Sequence, residues 1–140
     1  NHWTRYIDEK DSPLYPFGYG LSYSEFAYSE LEVVTPVVAV DRELVVTAVV
    51  TNIGSVAGIE TTQLYIQDVV GEVTRPVKEL KGFQQFSLEP GQSKMVQFTV
   101  PAQQFGFHGL DMQYKVEPGA FKVWVGPSSV DGLAGAFEIR

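Results

Sequence analysis

LVVTAVVT, Leu44–Thr51, decides the fold. Successive side chains of an extended chain point to opposite faces, so Leu44, Val46, Ala48 and Val50 share one face and Val45, Thr47, Val49 and Thr51 the other. β-branched residues fill the stretch and no stripe at helical spacing runs through it, which predicts a strand with one face in a core. Asn52-Ile53-Gly54 ends it with turn-forming residues.

The same period extends outward in both directions. Upstream, Phe26, Tyr28 and the run Leu31–Val34 predict a strand that stops at Thr35-Pro36. Downstream, Thr61–Gln67 places Leu64 and Ile66 on one face and Gln63, Tyr65 and Gln67 on the other. Val77, Leu80, Phe83 and Phe86 predict a less regular strand broken by Gly82, and Glu89-Pro90-Gly91 a turn. Val96, Phe98 and Val100 form the inward side of the next strand against Met95, Gln97 and Thr99, and Pro101, which cannot donate to a ladder, ends it. Met112–Val116 and Phe121–Val125 predict a last hairpin turned at Glu117-Pro118-Gly119, with Phe137–Ile139 as a terminal edge strand. Seven or eight short antiparallel strands with regular turn signals predict an all-β, immunoglobulin-like sandwich; without a Cys–Trp–Cys set it is of the fibronectin type III-like kind. Barrels and jelly rolls are the lesser alternatives.

Composition narrows the function. In 140 residues the hydrophobic fraction is 44% and the charged fraction 19%, ordinary for one globular domain. Seventeen acidic against ten basic residues give a net charge of −7, and the cations are scattered from Arg5 to Arg140, so neither a nucleic acid nor an anionic membrane is an expected partner. No apolar run approaches the length of a membrane span. The absence of cysteine removes disulfides, thiolate metal sites and a cysteine nucleophile, and two histidines make a zinc site improbable.

The candidate chemistry is sparse. Glycoside cleavage needs two carboxylates about 5–9.5 Å apart, but Glu30, Glu32, Glu60, Glu89 and Glu117 fall at positions expected to be solvated. His2 and His108 have no serine or aspartate partner at a recognisable spacing. Asp68, Glu72 and Asp111 contain no calcium-loop motif, so no metal is expected. Aromatic residues on the outer side of predicted strands, Tyr65, Tyr114 and Trp124, are candidates for stacking on a sugar ring; Trp124 and Tyr114 are the substrate-binding candidates, with cross-strand packing as the competing role. No catalytic residue is assigned.

Ahead of the strands, Asn1–Asp11 has neither a helical period nor strand alternation. Pro13–Tyr23, PLYPFGYGLSY, is broken by Pro13, Pro16, Gly18 and Gly20 and yet is rich in large apolar side chains. Such a segment is expected to lie as an extended strap against another surface, either this domain's own edge or a neighbouring one.

Six stretches taken together resemble a known family: PLYPFGYGLSYSEFAYSEL (Pro13–Leu31), VTNIGSVAG (Val50–Gly58), QLYIQD (Gln63–Asp68), RPVKELKGF (Arg75–Phe83), LEPGQS (Leu88–Ser93) and EPGAFKVWVGPSS (Glu117–Ser129). In this order they resemble the C-terminal fibronectin type III-like domain of glycoside hydrolase family 3, which includes β-glucosidases and β-xylosidases. The resemblance implies a remnant of the preceding catalytic domain over 1–12, an aromatic linker strap over 13–25 and the sandwich over 26–140. It implies catalytic carboxylates outside this chain, no cofactor, and partners that are the catalytic domains of the same parent chain. Tyr15, Phe17, Tyr19, Tyr23 and Arg75 become interdomain contact candidates. The implied parent reaction is retaining hydrolysis of terminal β-linked glycosides, in an enzyme expected to be periplasmic or secreted. A free-standing carbohydrate-binding module, with a saccharide as partner, is the alternative.

Overall fold

A computed structural model of the chain describes residues 24–69, 78–108 and 113–140 together with the short segment 4–6. The strands are β1 (Thr4–Tyr6), β2 (Phe26–Val33), β3 (Val37–Val38), β4 (Glu43–Asn52), β5 (Gly58–Asp68), β6 (Glu79–Leu88), β7 (Ser93–Pro101), β8 (Phe107–His108), β9 (Tyr114–Lys115), β10 (Gly119–Gly126) and β11 (Leu133–Ile139). One sheet has the order β1-β2-β4-β7 and the other β3-β11-β10-β5-β6, while β8 and β9 pair separately. Seven long strands thus make the two layers, as the alternation predicts. Thr4–Tyr6, where no strand is predicted, pairs antiparallel with β2 through Thr4↔Tyr28, Arg5↔Ala27 and Tyr6↔Phe26.

The core lies between the layers. From one side β4 contributes Leu44, Val46, Ala48 and Val50, and β7 contributes Val96, Phe98 and Val100, all buried. From the other side come Leu64 and Ile66 of β5, Phe121, Val123 and Val125 of β10, and Phe137 and Ile139 of β11. At one end Phe121 and Phe137 stack with centroids 5.1 Å apart. Phe105, on a 3-10 turn at Ala102–Phe105, packs against both at 5.9 and 5.6 Å and closes that end of the core.

Two predicted strand pairings differ. Phe121–Val125 does not pair with Met112–Val116: β10 forms its hairpin with β11, in register from Gly119↔Ile139 to Val125↔Leu133, and Tyr114–Lys115 pairs with β8. Glycine decides where the chain reverses, since a Cβ on Gly126 would stand 2.4 Å from the Asp131 carbonyl oxygen and Gly132 has φ of +136°. The terminal strand is therefore not an edge, because β11 lies between β10 and β3, with which it pairs in parallel.

Asn52 explains the VTNIGSVAG stretch. Its side chain, fully buried, donates from Nδ2 to the carbonyls of Val56 and Leu88, both at 2.9 Å, and accepts at Oδ1 from Gly54 N–H at 2.8 Å. Its backbone N–H donates to Gln92 O and its carbonyl accepts from Gly91 N–H. One side chain thereby ties the β4–β5 loop to the β6–β7 turn. That turn closes through Gln92 N–H to Glu89 O at 2.9 Å, with Pro90 pre-set for its second position and Gly91 at φ +81° in its third.

Candidate functional site: an aromatic outer sheet face

The five-stranded sheet carries two different faces on the same strands. Because Leu64 and Ile66 point into the core, Gln63, Tyr65 and Gln67 point out, as predicted. Register places Tyr65 between Leu80 of β6 and Trp124 of β10, and Gln63 in the next row between Phe83 and Gly126. Two adjacent rows of this face therefore hold Leu80, Phe83, Tyr65 and Trp124. Phe83 is 62% and Leu80 52% exposed, while Tyr65 and Trp124 are half-buried.

β6 is not broken at Gly82 but bulged beside it: Leu64 faces Gly82 and Tyr65 faces Leu80, leaving Lys81 as the extra residue. Gly82 faces inward, where an added Cβ would lie 3.1 Å from the Phe98 ring. The glycine thus leaves room for Phe98 to fill that part of the core. The apolar residues on either side of Gly82 and its bulge, Leu80 and Phe83, are turned to the outside.

Around the aromatic rows the polar groups are largely satisfied. The Tyr65 hydroxyl donates to Gln63 Oε1, and Gln63 Nε2 donates to Pro127 O at 2.9 Å. Lys78 Nζ lies 4.1 Å from the centroid of the Trp124 ring and donates to Ser129 O at 2.6 Å, so a cation occupies one face of the indole. Lys81 pairs with Glu79 at 3.1 Å. Glu79 is largely exposed in that pair, which adds little to stability.

The two predicted sugar-stacking residues do not share a row. Tyr114 stands on β9, where its hydroxyl donates to Gln103 O at 2.6 Å and accepts from Gly106 N–H at 3.1 Å, with its ring against Gly106. It clamps the turn that carries Phe105. Tyr15, Phe17, Tyr19, Tyr23 and Arg75 lie outside the described residues, as do Glu72 and Asp111. Among the described residues no three or more metal-ligating side chains come together.

One carboxylate departs from expectation. Glu60 is only 6% exposed, because it continues the inward row Glu60, Thr62, Leu64 and Ile66 of β5. Tyr28 Oη donates to Glu60 Oε2 at 2.7 Å and lies 2.9 Å from Thr62 Oγ1. With the phenol proton committed to Glu60, the threonine hydroxyl donates to the phenol oxygen. These bonds offset the desolvation of the three groups. Glu25 is also buried, and Ser29 Oγ, on a residue 2% exposed, has no hydrogen-bond partner among the described residues.

The family model described as "Fibronectin type III-like domain" matches residues 60–129. The chain belongs to the fibronectin type III-like domain family. This domain is 41% identical to a periplasmic β-glucosidase of Salmonella typhimurium over 97% of its own length and 18% of the relative's. It is 39% identical to a β-xylosidase of Formosa agariphila over 84% of its length and 16% of the relative's. Among solved structures, β-glucosidase from Listeria innocua in complex with isofagomine superimposes with a TM-score of 0.77 at 38% identity, covering 91% of this domain and 18% of that chain. β-Glucosidase 3B from Thermotoga neapolitana does so with a TM-score of 0.74 at 36% identity, covering 89% and 17%. The fibronectin type III-like domain therefore spans less than a fifth of these relatives, and the resemblance read from its six motifs holds.

Proposed function

We propose that this domain is a non-catalytic structural part of a longer glycoside hydrolase family 3 enzyme of β-glucosidase or β-xylosidase type, packing on the catalytic domains of its own chain and stabilising them. One observation carries the reading: nearly the whole domain matches such enzymes in sequence and fold, yet it occupies only 16–18% of their length. A domain that binds only the folded form of its neighbours raises their stability by mass action. In this reading the hydrolytic carboxylates belong to the remainder of the parent chain. Tyr15, Phe17, Tyr19, Tyr23 and Arg75 are interdomain contacts, and residues 1–12, 13–25 and 26–140 are respectively the end of the preceding domain, the strap and the sandwich, with Thr4–Tyr6 of the first lent as a strand to the sandwich's sheet.

The experiment is a deletion. Removing these 140 residues from the parent chain is expected to lower the melting temperature of what remains, and the purified domain is expected to release no aryl alcohol from chromogenic β-glucosides or β-xylosides. Unchanged stability after deletion, or turnover by the domain alone, contradicts the reading. A free-standing carbohydrate-binding module is less well supported, since Lys78 covers one face of Trp124 and the Tyr114 hydroxyl is engaged with Gln103 and Gly106.

A further inference from the structure

We infer that the outward face of β6, β5 and β10, centred on Phe83, Leu80, Tyr65 and Trp124, is the surface through which this domain docks on the rest of its parent chain. The inference rests on the function proposed above and assigns the surface that carries it.

Packing among the described residues does not account for this face. The core is filled from the inward rows, and Leu80 and Phe83 contribute nothing to it while exposing 52% and 62% of their surface. β6 is moreover the edge of its sheet and ten residues long, with no further strand hydrogen-bonded to its outer side among the described residues. A long edge with an apolar face is a template for aggregation unless something covers it. β7, the long edge of the other sheet, shows the contrast: its outward positions are Ser93, Met95, Gln97 and Thr99, and Met95 is the only large apolar side chain among them.

The occupant follows from charge and size. With the Lys81 charge matched by Glu79, the cations beside the patch among the described residues are Lys78 and Lys122, on a chain whose net charge is −7. A second copy docking about a twofold axis would bring these lysines against their own equivalents, which disfavours self-association. Four side chains also cover much less than the roughly 800 Å² per partner of a stable complex between free proteins. A neighbour on the same polypeptide needs far less area, because tethering supplies an effective concentration of about millimolar. The relatives provide such a neighbour, since more than four-fifths of their length lies outside the match. The complementary surface is apolar at its centre and acidic at its margin.

The test uses the parent chain with single substitutions on the two edges. Phe83→Asp and Leu80→Asp are each expected to lower its thermal midpoint by about 1–2 °C, the shift that a loss of roughly 2–3 kcal/mol at a buried interface contact gives in a chain more than five times the length of this domain. Met95→Asp, equally exposed on the opposite sheet, is expected to leave it unchanged. Leu80 and Phe83 are separate probes of one surface, so a folding defect specific to either substitution does not imitate the result. Equal shifts from Phe83→Asp and Met95→Asp overturn the assignment, as does slower amide exchange localised to Phe121–Val125 on adding soluble gluco- or xylo-oligosaccharide, which would make the face a sugar platform. If deleting all 140 residues leaves the remainder unaffected, the proposed function falls. If deletion destabilises it but Phe83→Asp and Leu80→Asp do not, only this surface assignment falls.

Discussion

The inner and outer faces of β5, β6 and β10 are made by the same residues in alternation, yet they obey different rules. On the inner face the large apolar positions of β5 and β10 are buried, Phe86 of the edge strand β6 is partly so, and where polar groups intrude at Glu60 and Thr62, Tyr28 bonds them. On the outer face Leu80, Phe83, Tyr65 and Trp124 stand among Gln63, Gln67, Gln85 and Lys122 and remain partly or mostly exposed. The inner face is explained by folding alone. The outer face has more apolar surface than the core requires, and that surplus is the ground for the docking surface proposed above.

If the two faces differ in this way, injury to the inner one has the largest effect. Leu64→Ala removes a fully buried side chain and is expected to lower the unfolding free energy of the 140-residue chain by about 3 kcal/mol in urea denaturation. A loss below about 1 kcal/mol would mean that the inner rows are not the core. Asn52→Ala comes next. It orphans the carbonyls of Val56 and Leu88 and the Gly54 N–H, so a loss of about 2 kcal/mol is expected, with faster hydrogen exchange in the two loops it ties together.

Backbone geometry gives smaller effects of both signs. Gly132→Ala places a side chain at φ +136° with its Cβ 2.5 Å from the Val125 carbonyl oxygen, and is expected to destabilise by about 1–3 kcal/mol through the β10–β11 hairpin. Glu30, by contrast, holds φ of +53° where the β2–β4 register slips between Ser29 and Glu32. Glycine tolerates that conformation, so Glu30→Gly is expected to stabilise by about 0.5 kcal/mol, read as a rise in midpoint. The smallest effect belongs to the outer face: Phe83→Ala is expected to change the stability of the 140-residue chain by no more than about 0.5 kcal/mol. A loss comparable to that of Leu64→Ala would erase the distinction between the faces.

Much of this division is written in the sequence, and the limits are physical. Leu44–Thr51 and Met95–Val100 reveal their inward residues because strict alternation leaves no other arrangement. Glu60 sets two signals against each other: its charge predicts a solvated position, while its period from Leu64 predicts the inward row where it lies. Strand identity is also easier to read than strand pairing: alternation says that Phe121–Val125 is a strand, but its partner is selected by the close glycine contacts at Gly126 and Gly132. The outer patch shows the same limit. Tyr65 and Trp124 each read as outward, but only the β5–β10 register makes them neighbours, and only the bulge opposite Leu64 and Tyr65 turns both Leu80 and Phe83 outward beside them.

Hydrogen exchange at the two long edges distinguishes a docked outer face from a free one. Amides of Glu79–Leu88 and Ser93–Pro101 are compared between the parent chain and this 140-residue domain. Docking through the outer face of β5, β6 and β10 predicts slower exchange in Glu79–Leu88 within the parent chain and no change in Ser93–Pro101. Identical exchange of Glu79–Leu88 in both, or slowing confined to Ser93–Pro101, would contradict it.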